Sequence, residues 1–412
     1  MATSEALNTS NTYVKYKITT TQNSQNINNN TSNVTVTVNF YRTNTGYTTY
    51  GSGTVYCRIN GNLYSATVTP SQKITNSGIN LFTKTLDITH NADGTKTLDV
   101  SAWISLDTPL TSVEQTYSQK PTLTTIPRTS KPTLSASNVN MGNSITIYTN
   151  RASSGFDHAL YYSIGNGWVW IASNIATSYV WTVPLNFANS VPNGTSLNVS
   201  LLLETYNNGT FIGSSQISFT AIVPASIVPS ILNVTISEAS NIVPSGFPYI
   251  QHKSKLNVVV SASGTYGSTI TSNSVVEGIS YSGANVTTNI LTGSGTISVV
   301  TTVTDSRGRT ASRTDTITVL SYSAPVVNGS LIRCNESGTE DEQGEYMKIY
   351  YDVSVLPLNT LNAKDFKIQY KKSADTEYET IPINATSYAT SGERIVAADS
   401  GSSYDVIISA AD

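Results

Sequence analysis

The sequence predicts an all-β protein built as a string of sandwiches, on three observations. Thr, Ser, Asn, Val, Ile and Tyr dominate, with 24 tyrosines against 8 phenylalanines and 4 tryptophans. Several of these residues favour pleated, half-buried surfaces, and helix formers are scarce. Apolar and polar residues alternate over short runs, as in a sheet with one wet face. Prolines recur at a regular interval: Pro132, Pro229 and Pro325 lie about 96 residues apart, each after one β-rich run and before the next.

At 412 residues the chain is long enough for three or four domains. Residues 1–126 are expected to form a jelly-roll-like sandwich. Its run "NVTVTVNFY" sets Val34, Val36, Val38 and Phe40 on one face. Its hairpins are expected at Asn60-Gly61, the pair a type I′ turn prefers, and at Asp93-Gly94. Residues 127–224 and 225–323 are expected to be immunoglobulin-like. The first has a hairpin turning at Gly165-Asn166-Gly167, and the second has Leu256, Val258 and Val260 on one face. Residues 324–412 have strands in a fibronectin-III-like order. This last unit stops in or just after a strand, so the natural chain is expected to continue past Asp412. The units are not sequence copies, so the repeat is one of architecture.

Charge is sparse, at 12% of residues with a net −3, so no basic field exists to hold nucleic acid. The stretch Thr302–Val319, with two carboxylates and three arginines, is expected to be a hairpin. Asp305 would accept a backbone bond two residues on, Gly308 would take positive φ, and Arg307, Arg309 and Arg313 would project from a solvated tip. The acidic run Glu336–Glu345 lacks the ligand order of a calcium loop and is expected to be a solvated loop. Cys57 alternates with Val55 and Ile59 as an inert core thiol. Cys334 falls in another unit, so no internal disulfide is expected. The N-terminus has no cationic start and no apolar core of a signal peptide, and no apolar run is long enough to insert in a membrane. An adhesin-like composition without an export signal fits a virion protein, assembled in the host cytoplasm and extracellular after lysis. A leaderless or truncated surface protein competes.

The segments "DSRGRTAS", "GTYGSTIT" (Gly264–Thr271), "THNADGTKTLDVSA", "TLTTIPRTSKP", "VNMGNSITIYTNRASSGFDHALYYSIG" and "RCNESGTEDEQGEY" together cover nearly the whole chain in order. They resemble tail-associated minor structural proteins of siphoviruses that infect low-GC Gram-positive bacteria. The resemblance implies a multi-domain virion component in or near the tail tip, concerned with host adsorption, with other tail proteins as partners. It carries over no catalytic residues. A homo-oligomer is left open.

No catalytic residue, cofactor or metal site is expected. His90, His158 and His252 fall in three different units, so a zinc site or a Ser/His/Asp triad within one unit has a single histidine to draw on. A depolymerase would need two carboxylates facing a cleft. Glu5, Asp87, Asp93, Asp99, Asp107 and Glu114 are available in the first unit, with no spacing that singles out a pair. A bacterial surface adhesin or stalk is the other competing function. Aromatic residues carry the candidate site for a host cell-surface glycan. Tyr47 and Tyr50 lie in a Gly/Thr/Asn-rich loop with Arg42 and Asn44 as polar partners. Trp168 and Trp170 share one face of a strand whose other face holds Val169 and Ile171. Either the tryptophans face the core, or they form an exposed contact platform.

Overall fold

The computed structural model describes residues 1–46, 52–106 and 114–412. The fold is all-β, with one 3-10 turn, Leu185–Ser190, as the only helix among the described residues. The chain divides into two compact units. One contains Met1–Phe187 and Ser196–Val223, the other Ala188–Thr195 and Pro224–Asp412.

In the first unit, Val14–Asn26, Thr31–Arg42 and Ile79–Thr89 pair antiparallel, with short N-terminal strands along the edge of the first. A second sheet runs Asn62–Val68, Gly53–Ile59, Val100–Leu106, Gln115–Thr116. Val34, Val36, Val38 and Phe40 are all buried between the sheets, as their alternation requires. Tyr16 stacks on Phe40 with ring centres 5.0 Å apart and donates its hydroxyl to the Ala102 carbonyl at 2.9 Å, which ties one sheet to the other. The expected jelly-roll-like unit is thus a related sandwich, in which Val14–Asn26 and Thr31–Arg42 follow each other within one sheet instead of alternating between sheets. Asn60 and Gly61 both adopt positive φ (47° and 83°), as a type I′ turn requires. Asp93-Gly94 differs from expectation. The turn closes through Asn91 N–H to Thr95 O at 2.9 Å. Its flanking strands then part to different sheets, so it is an arch between layers and not a hairpin.

Two later sheet pairs share one plan. In the first unit, Thr133–Leu134, Ser144–Tyr148 and Ser178–Thr182 form a three-stranded sheet. The five-stranded one is ordered Asn138–Asn140, Thr210–Ile222, Ser196–Asn207, Phe156–Ser163, Val169–Ile175, with its first pair parallel. In the second unit the same order recurs. Ser230–Glu238, Leu256–Ser263 and Asn285–Thr287 form the small sheet. Tyr249–Ile250, Thr310–Leu320, Gly295–Asp305, Ile270–Val276 and Ile279–Ser282 form the large one, again with its first pair parallel. The last pair sets Val326–Cys334, Tyr346–Ser354 and Ala389–Ala397 over Glu379–Pro382, Asp365–Lys372 and Tyr404–Ala411.

The Gly295–Asp305/Thr310–Leu320 hairpin forms as expected. Gly308 has φ 80°, and one Asp305 oxygen accepts the N–H groups of Arg307 and Arg309, each at 2.9 Å. The solvated tip does not hold for Arg307, whose side chain is 0% exposed. Its guanidinium donates to the carbonyls of Ala188 (2.9 Å), Val191 (3.2 Å), Thr265 (2.8 Å) and Tyr266 (2.9 Å). The second oxygen of Asp305 lies 3.9 Å away as its counter-charge. Arg309 donates to the Ile227 carbonyl at 2.7 Å. Arg313 alone behaves as expected, pairing with Asp315 at the surface.

Buried polar pairs recur in the first unit. His90 donates from Nδ1 to the Gly94 carbonyl (2.7 Å), and its Nε2 meets Ser32 Oγ at 2.7 Å. His158 repeats this with the Ile175 carbonyl and Ser130 Oγ, both at 2.8 Å. A carbonyl can only accept, so Nδ1 carries the proton and Nε2 accepts from the serine. Burial pushes the His158 pKa below its usual 6.5, against a smaller upward pull from its bond to Ile175. Asp157 favours the charged ring and Arg151 opposes it.

Two outcomes test these buried groups. Arg307→Met removes the donor to four carbonyls and leaves Asp305 without its counter-charge. It should cost about 3–5 kcal/mol in chemical denaturation, and Arg307→Lys should recover only part because a point charge cannot serve four acceptors. A loss below about 1 kcal/mol would refute the role. For His158, both states are neutral at high pH. Below about pH 6.5 the unfolded chain takes up a proton that the fold refuses, so stability falls with pH until the depressed folded value is reached. Melting temperature should therefore decline between about pH 7 and 5, and His158→Gln should flatten that slope. Identical slopes in the two proteins would remove His158 as the cause.

Candidate functional site

The two tryptophans of "GWVWIAS" lie on the surface, Trp168 41% and Trp170 60% exposed. Trp181 fills the core in their place, packed against Tyr162, Phe187 and Phe219 with ring centres 5.4, 6.2 and 6.3 Å away. Of the two readings the sequence left open, the core-facing one is therefore wrong. Strand Val169–Ile175 breaks register with Phe156–Ser163 twice, between the pairs His158/Ile175 and Leu160/Ala172 and between Leu160/Ala172 and Tyr161/Trp170. Each break places an extra residue on the outer strand, and such bulges re-aim side chains. The second sets Trp170 directly opposite Tyr161.

A groove of about 370 Å³ opens on this outer face, lined by Asp157, Ala159, Tyr161, Trp170, Asn174 and Tyr206, among others. The pairing register builds it: Asp157 opposes Tyr206, Ala159 opposes Glu204, and Tyr161 opposes Trp170 on its other side. Ala159, the smallest side chain among these, leaves the depth. Tyr206 donates to Glu204 at 2.8 Å, and this bond, with lesser help from burial, pushes its hydroxyl up to about 12. Tyr161 lies near Glu204 as well, and its pKa is raised, first by desolvation and then by the Glu204 charge. Phe211, exposed beside Tyr206 at 5.8 Å, extends the aromatic surface.

The other candidates are not brought to this groove. Tyr47 and Tyr50 lie outside the described residues. Of their intended partners, Arg42 donates from Nε to Asn76 at 2.6 Å, and Asn44 accepts the Gly46 N–H at 2.9 Å. The first sandwich carries an aromatic pair that sequence reasoning missed. Tyr56 and Trp103 are cross-strand partners stacked at 5.1 Å, beside the Arg58–Glu114 ion pair. Only the strand pairing makes them neighbours, so neither segment signals the pair by itself.

The buried Ser–His pairs have the spacing of a nucleophile and its base, but each second ring nitrogen is held by a backbone carbonyl where a triad has a carboxylate. Carboxylates of the first sandwich have local partners: Asp87 accepts from Asn33, Asp93 from the Thr95 backbone and hydroxyl, and Glu114 from Arg58 and Ser101. Asp107 lies outside the described residues. In the acidic run Glu345 holds Ser400, Asp341 holds the Gln343 N–H, and Glu336, Glu340 and Glu342 are exposed, as in a solvated loop. Cys57 and Cys334 are both free and buried, and burial pushes the Cys57 thiol up to about 12. No helix among the described residues is long and apolar enough to cross a membrane.

The chain is similar to several multi-domain β proteins of known structure. An Antarctic bacterial adhesin described as Ca2+-stabilised and ice-binding is 12% identical, with 95% of this chain and 97% of that one covered and a TM-score of 0.28. The FN1–FN3 domains of chicken CNTN1 are 10% identical, over 69% and 94% of the two chains at a TM-score of 0.22. The fibronectin(III)-like modules of Clostridium thermocellum CbhA are 13% identical, over 46% and 94% at 0.20. These likenesses carry no functional inference. No curated protein matches the chain. A family model described as a siphovirus protein of unknown function (DUF859) matches residues 6–395, and the chain belongs to that family.

Proposed function

We propose that this protein is a non-enzymatic component of the siphovirus tail or tail tip, acting as a multi-domain spacer and as an adhesion module toward host cell-wall polysaccharide. The observation that carries this reading is the exposed Trp170 above a groove with Tyr161 and Tyr206. Tryptophan is among the costliest side chains to leave in water, and a core tryptophan is already supplied by Trp181. The apolar faces of a sugar ring match such rings, and its rim hydroxyls need polar partners of the kind that Asp157, Ser173 and Asn174 offer. A shallow groove gives weak contact, so attachment would depend on many copies engaging one wall.

The four sandwiches, with joints near residues 127, 225 and 324, serve as the spacer in this reading. Other tail proteins are the partners, and copy number would come from the tail itself or from a homo-oligomer. The loop containing Tyr47 and Tyr50 is a second proposed contact, with Trp168 flanking the main one.

Trp170→Ala should lower binding of the purified protein to host cell walls by about tenfold or more while melting temperature shifts by no more than a degree or two. Unchanged wall binding would sink the site, and gold-labelled antibody absent from tails in a lysate would sink the location.

A further inference from the structure

The hydrogen-bonding inventory of the Trp170 groove is one-sided. Tyr206 has one hydroxyl proton and donates it to Glu204 at 2.8 Å, while Tyr161 stands near the same carboxylate. The lone pairs of both phenols are acceptors, as are both oxygens of Asp157, which is exposed at the lining. No lysine or arginine is among the lining residues. His158 lines the groove too, but its ring nitrogens are bound to Ser130 and the Ile175 carbonyl, and its depressed pKa keeps it neutral. Ser173 and Asn174 are the side chains left to donate.

Such a site disfavours an anion. A phosphate or carboxylate would meet the Asp157 carboxylate, with Glu204 nearby opposite Ala159, a Tyr206 phenol already committed as a donor, and the negative faces of three aromatic rings. An ammonium group has the opposite balance: three donors, no acceptor, and attraction to the face of Trp or Tyr. The groove also admits a ring, because Ala159, opposite Glu204, puts only a methyl group on the face between Asp157 and Tyr161.

We propose that the groove takes a saccharide carrying a free protonated amino group, with the sugar ring against Trp170 and the ammonium between Asp157 and the Glu204-bound phenol of Tyr206. This rests on the adhesion reading above and names the wall chemistry it selects: amino sugars left unacetylated, not phosphate-bearing polymers.

Titrating the full chain with a glucosamine disaccharide and with its N-acetylated counterpart, following tryptophan fluorescence, tests this. The free amine should bind about tenfold tighter or more, and the preference should vanish as pH rises through the sugar amine's own pKa. Asp157→Asn should remove most of the preference, and Ala159→Leu, which fills the groove and keeps every aromatic and charged residue, should abolish binding to both. Both variants are to retain the parent melting temperature. A second pair, Glu204→Gln with Trp170→Phe, serves if either fails to fold. Equal or tighter binding of the N-acetylated sugar overturns the amine assignment, and if wall binding still depends on Trp170 the adhesion reading survives it. Amine binding that persists in Ala159→Leu is general attraction of a cation to an acidic protein and also overturns the proposal. If neither sugar binds and Trp170→Ala leaves wall binding intact, both readings fall.

Discussion

A backbone carbonyl that is buried beyond the reach of its sheet ladder must find a donor, and in this chain arginine meets that constraint repeatedly. Arg307 serves four carbonyls. Arg333 serves Gly344, Ala398 and Asp399 at 2.9–3.3 Å. In the first unit, Arg128 donates to Ile27 and Ile212 at 2.7 and 3.3 Å, so one guanidinium holds the first sandwich to the second. Five fixed donors on a planar, weakly hydrated cation suit this task, and a lysine ammonium does not. Three of the chain's 23 lysines and arginines thus have a structural task. The joint at Arg128 has further bonds: Asn28 with Thr210 and Asn207, and Ser130 with His158 and Thr205. Sandwiches fixed this way keep their faces free for other work.

Several outer strand faces are quiet. Thr35 bonds Thr85 and Asn23, Asn39 bonds Asn80, and Thr302 bonds Ser312, so short polar side chains satisfy one another across strands. Such ladders leave few free donors or acceptors and little apolar area. The face holding Asp157, Tyr161, Glu204 and Tyr206 departs from that pattern, with bulky rings, two carboxylates and a gap at Ala159. The bulged edge strand that brings Trp170 over it gives up regular pairing in the same place. An irregular ladder and an exposed tryptophan are both unfavourable for stability taken alone, and their coincidence on one face is the ground for the contact proposed there.

What the sequence made legible was local. The alternation at Val34–Phe40 and at Leu256–Val260 located core faces, and Asn60-Gly61 and Gly308 located turns, because period and φ are fixed by neighbours in the chain. Arg307 was misread because its four acceptors lie 41 to 119 residues away, and nothing near it signals burial. Trp168 and Trp170 could be placed on a common face, but a period of two does not say which face is the core. A usable signal was "SYVWTV", where Tyr179 and Trp181 share a strand face and compete for the same interior. The groove itself was out of reach, since Asp157 and Tyr206 meet only through the register of Phe156–Ser163 with Ser196–Asn207.

Placement on a sheet also bears on how a weak site can be useful. A side chain on a hydrogen-bonded strand has little backbone freedom to lose when it meets a ligand, so a small contact area is not spent on ordering the protein. The Tyr206–Glu204 bond extends this to a side chain, because that phenol is held before any ligand arrives. Arg128 holds the same sandwich to its neighbour in the first unit, and the Ser130–His158 pair fixes the adjoining segment within the sandwich. In the proposed adhesion role, a site on so ordered a face would let repeated weak contacts add.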